Sequence, residues 1–322
     1  MPTAQQDADV YAVGRDRYIA TYWKNGATVT LGKGTTSSDA NAIAMLGNDI
    51  YIVGHEINAN GKYVAKYWKN GVATDLTDGT SDAIANDILI HGNDIYIAGQ
   101  QSMGGTAKWT ARYWKNGTPI SLTDGSVNAI ASSIAVVGND IYVIGERSPD
   151  GITPLTCYWK NGVLTDLSDR STYAVDQAFA VVGNEIYMAW SASYNSSGNV
   201  QTSYSKNFGA PQLIADGTRD ARGSAVAVSG TDIYIAGTGP SADGKNIAAK
   251  YWKNGSPVIL TNGAESGEAL GIALSGTDVY VAGYLALPNS ASKATYWKNG
   301  TAVSLTNGTN DALIRKIMVV KK

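Results

Sequence analysis

The string Tyr-Trp-Lys-Asn-Gly occurs six times in this chain, at residues 22–26, 67–71, 113–117, 158–162, 251–255 and 296–300. A seventh, altered copy, Tyr-Ser-Lys-Asn-Phe-Gly, stands at residues 204–209. Successive copies begin 45, 46, 45, 46, 47 and 45 residues apart. A repeat of this length is one supersecondary unit that cannot bury its own faces, so neighbouring copies must stack. Most of the 36 glycines recur at fixed places in the units, as repeated turns require.

Residues 79–125 show one unit clearly. An apolar run over 84–91 is followed by the hairpin signal Gly92-Asn93-Asp94 and by Ile-Tyr-Ile-Ala over 95–98. A polar loop leads to 110–115, which carries the Tyr-Trp pair; Asn116-Gly117 then marks a second hairpin, with a fourth strand over 119–122. No window of helical length keeps a 3.6-residue period. Four short antiparallel strands per unit predict an all-β, seven-bladed β-propeller. The chain starts inside a blade, because residues 9–14 match the second strand with no first strand before them. Residues 313–320 match a first strand with nothing after them, so the tail is expected to close the ring with residues 9–31. This makes residues 1–322 one propeller domain, with no sheet edge left at its ends.

Spacing assigns the faces. From the inter-blade Gly to the first hairpin Gly is 13 residues, as from Gly34 to Gly47 or Gly79 to Gly92, and from there to the second-strand Tyr is four. Only the connection between strands two and three varies. It falls with the inter-blade loops on one face, and both Gly hairpins fall on the other. Binding groups are expected on the variable face.

Composition excludes several functions. With 25 basic and 27 acidic residues there is no footprint for nucleic acid. No apolar run approaches a membrane span. Cys157 is the sole cysteine, so no intrachain disulfide forms, and a lone thiol leaves the compartment open. His55 and His91 are the two histidines and fall at opposite ends of their strands, so no metal or other cofactor is expected. Each repeat Trp is read as core, worth up to about 4–6 kcal/mol when fully buried. In the fifth unit Ser205 replaces that Trp, Phe208 is inserted, and Trp190 stands where other units have Gly. Trp190 or Phe208 is expected to fill the space.

The unit length resembles that of WD-type propellers, with Tyr-Trp placed where they carry Trp-Asp, although this chain has Trp-Lys and lacks their Gly-His start. The pattern Ile-Tyr-Ile-Ala-Gly, Tyr-Trp-Lys-Asn-Gly, Leu-Thr-Asp-Gly is similar to that of uncharacterised bacterial repeat proteins, mostly exported proteins or lipoproteins. This resemblance implies a propeller and an extracellular or cell-surface location, and brings no catalytic residues.

Two sets of candidate ligand-binding residues emerge. At the channel mouth, Arg219 is equivalent to Glu265 and Arg222 to Glu268 in the next unit, so opposite charges are expected to meet there. A ring of first-strand positions, Asn41, Asn86, Ser132, Gln177, Ser224 and Arg315, is expected to line the channel, with Leu270 breaking the series. On the variable loops the candidates are His55, Glu56, Trp109, Trp190, Tyr194 and Tyr284. The expected function is non-enzymatic binding or scaffolding by a monomer, with a glycan or protein as ligand. One alternative is a hydrolase or lyase at the charged mouth. Another is a recently amplified or engineered chain with no specific ligand.

Overall fold

The computed structural model describes residues 8–103, 108–168, 172–194, 199–214, 220–261, 265–288 and 291–322. They form seven four-stranded antiparallel sheets set as blades around an axis. Blade 1 joins an inner strand from the C-terminus, Ala312–Lys321, to Ala8–Asp16, Ile19–Lys24 and Ala27–Thr30. Blades 2 to 7 follow in chain order. Their inner strands are Ser38–Leu46, Ala83–His91, Asn128–Val137, Thr172–Val182, Arg222–Ser229 and Gly267–Ser275. Each inner strand contacts that of the next blade, and blade 7 meets blade 1. The propeller and its closure by the C-terminal strand follow the expectation from the repeats.

Every residue of the pentapeptide has a structural task. The six Trp side chains are at most 1% exposed. Each packs beneath the tyrosines of the preceding blade, as Trp68 does against Tyr11 and Tyr22. Asn70 and Gly71 take φ values of 51° and 85°, the left-handed pair that a type I′ hairpin needs. The Asn70 side chain then accepts the Ile50 backbone N–H at 2.9 Å and donates to Asp49 at 2.7 Å. Lys69 pairs with the same Asp49 at 2.7 Å and lies 5.2 Å from the Tyr51 ring centroid. The same Lys, Asp, Asn and Tyr arrangement repeats in other blades, for example at Lys115, Asp94, Asn116 and Tyr96. The string is thus a device for locking the two hairpins of one face together.

A bulge interrupts each inner strand. The unpaired residues are Asn41, Asn86, Ser132, Ser224, Leu270 and Arg315 in six of the blades. Across from each bulge stands a glycine on the second strand. A Cβ on Gly54 would lie 1.9 Å from the Asp39 carbonyl oxygen, and one on Gly99 would lie 2.1 Å from that of Ile84. Only a residue without a side chain allows that approach. In blade 5 the bulge moves two residues back to Val175, Gln177 becomes a paired residue, and Trp190 occupies the glycine's place. Trp190 is 7% exposed and packs with Ile144, Met188, Phe179 and Phe208 between blades 4 and 5. Phe208 also stacks on Tyr158, with ring centroids 4.1 Å apart. Both aromatics therefore fill the interface that lacks a repeat Trp, while the Ser205 hydroxyl is left buried without a partner.

The second strands run further than the sequence pattern predicts. In blade 3 the strand is Asp94–Ser102 rather than 95–98, because Gln100, Gln101 and Ser102 pair through their backbones with Ala111, Thr110 and Trp109. Alternation of apolar residues marks burial, whereas the ladder needs only N–H and C=O groups. Consequently His55, Glu56, Trp190, Tyr194 and Tyr284 lie on second strands and Trp109 starts a third strand; none of the six is in a loop.

Candidate functional site

The inner strands start at the inter-blade loops, so their bulges lie toward that end of the axis. Connections between strands two and three gather on the same face, where Asn58 donates to the Gly79 carbonyl at 2.9 Å and Asp82 accepts the Tyr63 N–H at 3.0 Å. Here the axis opens into a cavity of about 480 Å³, within the roughly 300–1,000 Å³ range of small-molecule sites. Blades 1 to 5 line it, through Arg315, Asn41, His55, Ile84, Asn86, Gln100, Ile130, Ser132, Glu146 and Gln177. A deeper space of about 150 Å³ shares the ring of bulge residues and adds Ser224 and Leu270 from blades 6 and 7.

The polar ring is anchored from blade to blade. Asn41 donates to the Ala85 carbonyl at 2.8 Å, and Asn86 donates to that of Ala131 at 2.8 Å. The Ser132 hydroxyl donates to Gln177 Oε1 at 2.9 Å, leaving Gln177 Nε2 buried without a partner. Farther along the axis, Lys316 reaches from blade 1 to Asp87 in blade 3 at 3.3 Å, and Ser133 donates to the same carboxylate at 2.6 Å.

A charged cluster forms the wall at blades 1 and 2. Asp39 is 4% exposed and receives Arg315 through Nε at 3.0 Å and Nη2 at 2.6 Å. Arg15 approaches Asp39 at 3.4 Å and Asp311 at 3.3 Å. Burial works against the Arg315 charge, but hydrogen bonding and the field of Asp39 outweigh it and raise its pKa. His55 lies opposite Asp39 in the ladder and meets Tyr63 edge-on, with ring centroids 5.0 Å apart. Burial lowers the His55 pKa below 6.5; Asp39 opposes this, and Arg315 and Arg15 add to it. The unfolded chain therefore binds the His55 proton more tightly than the folded one. This stability is full above pH ~6.5 and is lost as pH falls through the lower folded value. Thermal melts at pH 7.5 and 5.5 should show a smaller acid-induced loss for His55→Gln than for the parent.

Arg222 and Glu268 line a second cavity, of about 540 Å³, between blades 6 and 7. Tyr284 is pushed up in pKa by burial and by Glu268, whose carboxylate accepts its hydroxyl. Glu265 precedes the inner strand of blade 7 and does not line this space; Arg219 lies outside the described residues. Glu56 pairs with Lys66 at 3.3 Å and does not line the axial cavity. The Cys157 thiol is buried, and burial raises its pKa.

Gln100 and Glu146 line the cavity and are absent from the sequence candidates. They share a position with Arg15, His55, Ser191, Thr238 and Tyr284, each directly after the second-strand Gly or its Trp190 counterpart. Seven different residues at one position of an otherwise constant frame are the available signal, and only His55 and Tyr284 are among the sequence candidates.

Among the described residues no cluster of His, Cys, Asp and Glu could hold a metal, and no helix is long and apolar enough to cross a membrane. No family model matches the sequence, and no curated protein matches it either. Solved structures do match by shape. The chain superposes on the β-propeller domain of the Trilobed protease from Pyrococcus furiosus, described as having an open velcro topology, with TM-score 0.53 and 12% identity over 95% of this chain and 97% of that one. Pyrococcus horikoshii acylaminoacyl peptidase gives 0.57 at 12% identity, over 94% of this chain and 51% of the other. Trypanosoma rangeli sialidase gives 0.52 at 12% identity, over 92% and 56%. The chain thus spans about half of those last two proteins, and at this identity the likeness is one of fold, a β-propeller; the seven blades and the closure by the C-terminal strand are read from this chain's own sheets.

Proposed function

We propose that the protein is a non-catalytic binding module whose axial cavity takes a small hydroxylated ligand, such as the end of a glycan. The observation that carries this reading is the ring of amide and hydroxyl side chains around a cavity of about 480 Å³. Asn41, Asn86 and Ser132 are pre-positioned by hydrogen bonds to neighbouring blades, so little ordering remains to be done on binding. Sugar hydroxyls both donate and accept, which suits side chains that still have a free lone pair or N–H. A glycan array should identify a bound sugar. Ser132→Ala and Gln177→Ala should then weaken it about tenfold or more by calorimetry. An empty array, or binding indifferent to both substitutions, defeats the reading.

A second reading draws on Glu268, which accepts the Tyr284 hydroxyl beside Arg222, and gives a hydrolase or lyase at that mouth. Turnover on a hydrolase panel, abolished by Glu268→Gln, would establish it in place of the first.

A further inference from the structure

We propose that the axial cavity selects a ligand bearing a carboxylate, a sugar acid over the matching neutral sugar, and that Arg315 is the residue that reads it. This deepens the axial binding reading and rests on it. Arg315 is the one charged residue among the bulge positions; the others are Asn, Ser, Leu and Val. Its Nε and Nη2 are fixed by the buried Asp39, which sets the guanidinium plane, while Nη1 makes no hydrogen bond among the described residues. A fork held along one edge and open along another is ready for a planar oxyanion.

The surrounding charges favour an anion at this wall. Asp39 is shared by two cations, since Arg15 also approaches it at 3.4 Å. Arg15 is balanced in turn by Asp311, whose side chain is 41% exposed, and Lys316 is matched by Asp87. Asp311, the more exposed of the two carboxylates, is the more strongly screened by solvent, so it offsets the two guanidinium groups only in part at this wall. His55 adjoins this wall with its Nδ1 lacking a partner. The acidic group of the lining, Glu146, belongs to blade 4, well round the ring from blade 1. It repels a second anion there and so orients the ligand, with the carboxylate toward blades 1 and 2. A single open guanidinium edge facing an acidic far wall fits a monocarboxylate better than a phosphate dianion. Asn86, Ser132 and Gln177 then lie beside the hydroxylated body.

The test is calorimetric titration with two matched pairs, galacturonate against galactose and glucuronate against glucose, at fixed ionic strength and pH 7.5. At least one acid should bind about tenfold or more tightly than its neutral partner. Arg315→Met should erase that preference. Should that variant fail to fold, Arg315→Lys, which keeps the charge near Asp39 but loses the fork, should reduce it severalfold. Ser132→Ala should weaken acid and neutral sugar alike and leave their ratio unchanged. Equal affinities in the parent, a preference that survives Arg315→Met, or one left undiminished by Arg315→Lys overturns the inference while leaving axial binding intact. Binding of none of the four sugars at ~10 mM overturns it as well. The glycan array and the Ser132 result then decide axial binding separately.

Discussion

Truncation after Asp311 should yield a chain that aggregates or remains molten, with dye-accessible apolar surface and no cooperative melting transition. The lost segment supplies the whole inner strand of blade 1, including Ile314 and Ile317, which are 0% and 3% exposed. Its removal bares the edge of Ala8–Asp16 and the flank of blade 7, two templates for association. It also strands two buried carboxylates, because Asp39 loses Arg315 and Asp87 loses Lys316. A synthetic peptide covering residues 312–322, added during refolding, should restore part of the native melting signal. Asp39→Ala isolates the electrostatic share. It leaves Arg315 without its counter-charge and should cost about 3 kcal/mol, seen as a drop of roughly 6–9 °C in melting temperature. A truncated monomer melting within a few degrees of the parent would show that the ring does not depend on this strand.

Adding a single methyl group at Gly54, Gly99, Gly145, Gly237 or Gly283 should be among the most damaging point changes in the molecule. At each the new Cβ would sit 1.8 to 2.1 Å from a backbone carbonyl oxygen. Backbone cannot swing aside as a side chain would, so either the bulge shifts or the strand pair opens. We expect a loss of about 3 kcal/mol or more for Gly99→Ala, measured by denaturant unfolding. Trp190 provides the opposite test at the same place in blade 5. Trp190→Ala should cost a similar amount by leaving a cavity among Ile144, Met188 and Phe179. A neutral Gly99→Ala would mean that the carbonyl approach is not maintained in solution.

The architecture was legible in the sequence because the hairpins and the core Trp are specified by residue types with strong local preferences. Asn-Gly pairs, Tyr-Trp pairs and constant spacings recur, and a short C-terminal segment matched a missing first strand. The bulges were less legible. The unpaired residue itself is Asn, Ser, Leu, Arg or Val, and no shared chemistry marks it. What specifies it is the missing Cβ across the ladder, a negative signal that reads locally as the end of a strand. Trp190 in place of Gly was visible as an oddity, yet its meaning, a bulge displaced to Val175, needs the pairing register. The axial wall was half legible for a related reason. Arg315 and Asn41 stood in an aligned column, whereas the pairing of Arg315 with Asp39 is made by ring closure between distant parts of the chain.

The uniform packing between blades has an evolutionary consequence. Where a repeat indole meets the tyrosines of the preceding unit, the two halves of the joint are generic, so a unit can be duplicated, deleted or exchanged without redesign of its neighbours. The joint between blades 4 and 5 is not generic, because Phe208 and Trp190 are fitted to Tyr158 and Ile144. Recombination should therefore be tolerated at other boundaries and should fail where a fifth unit is inherited without its fourth.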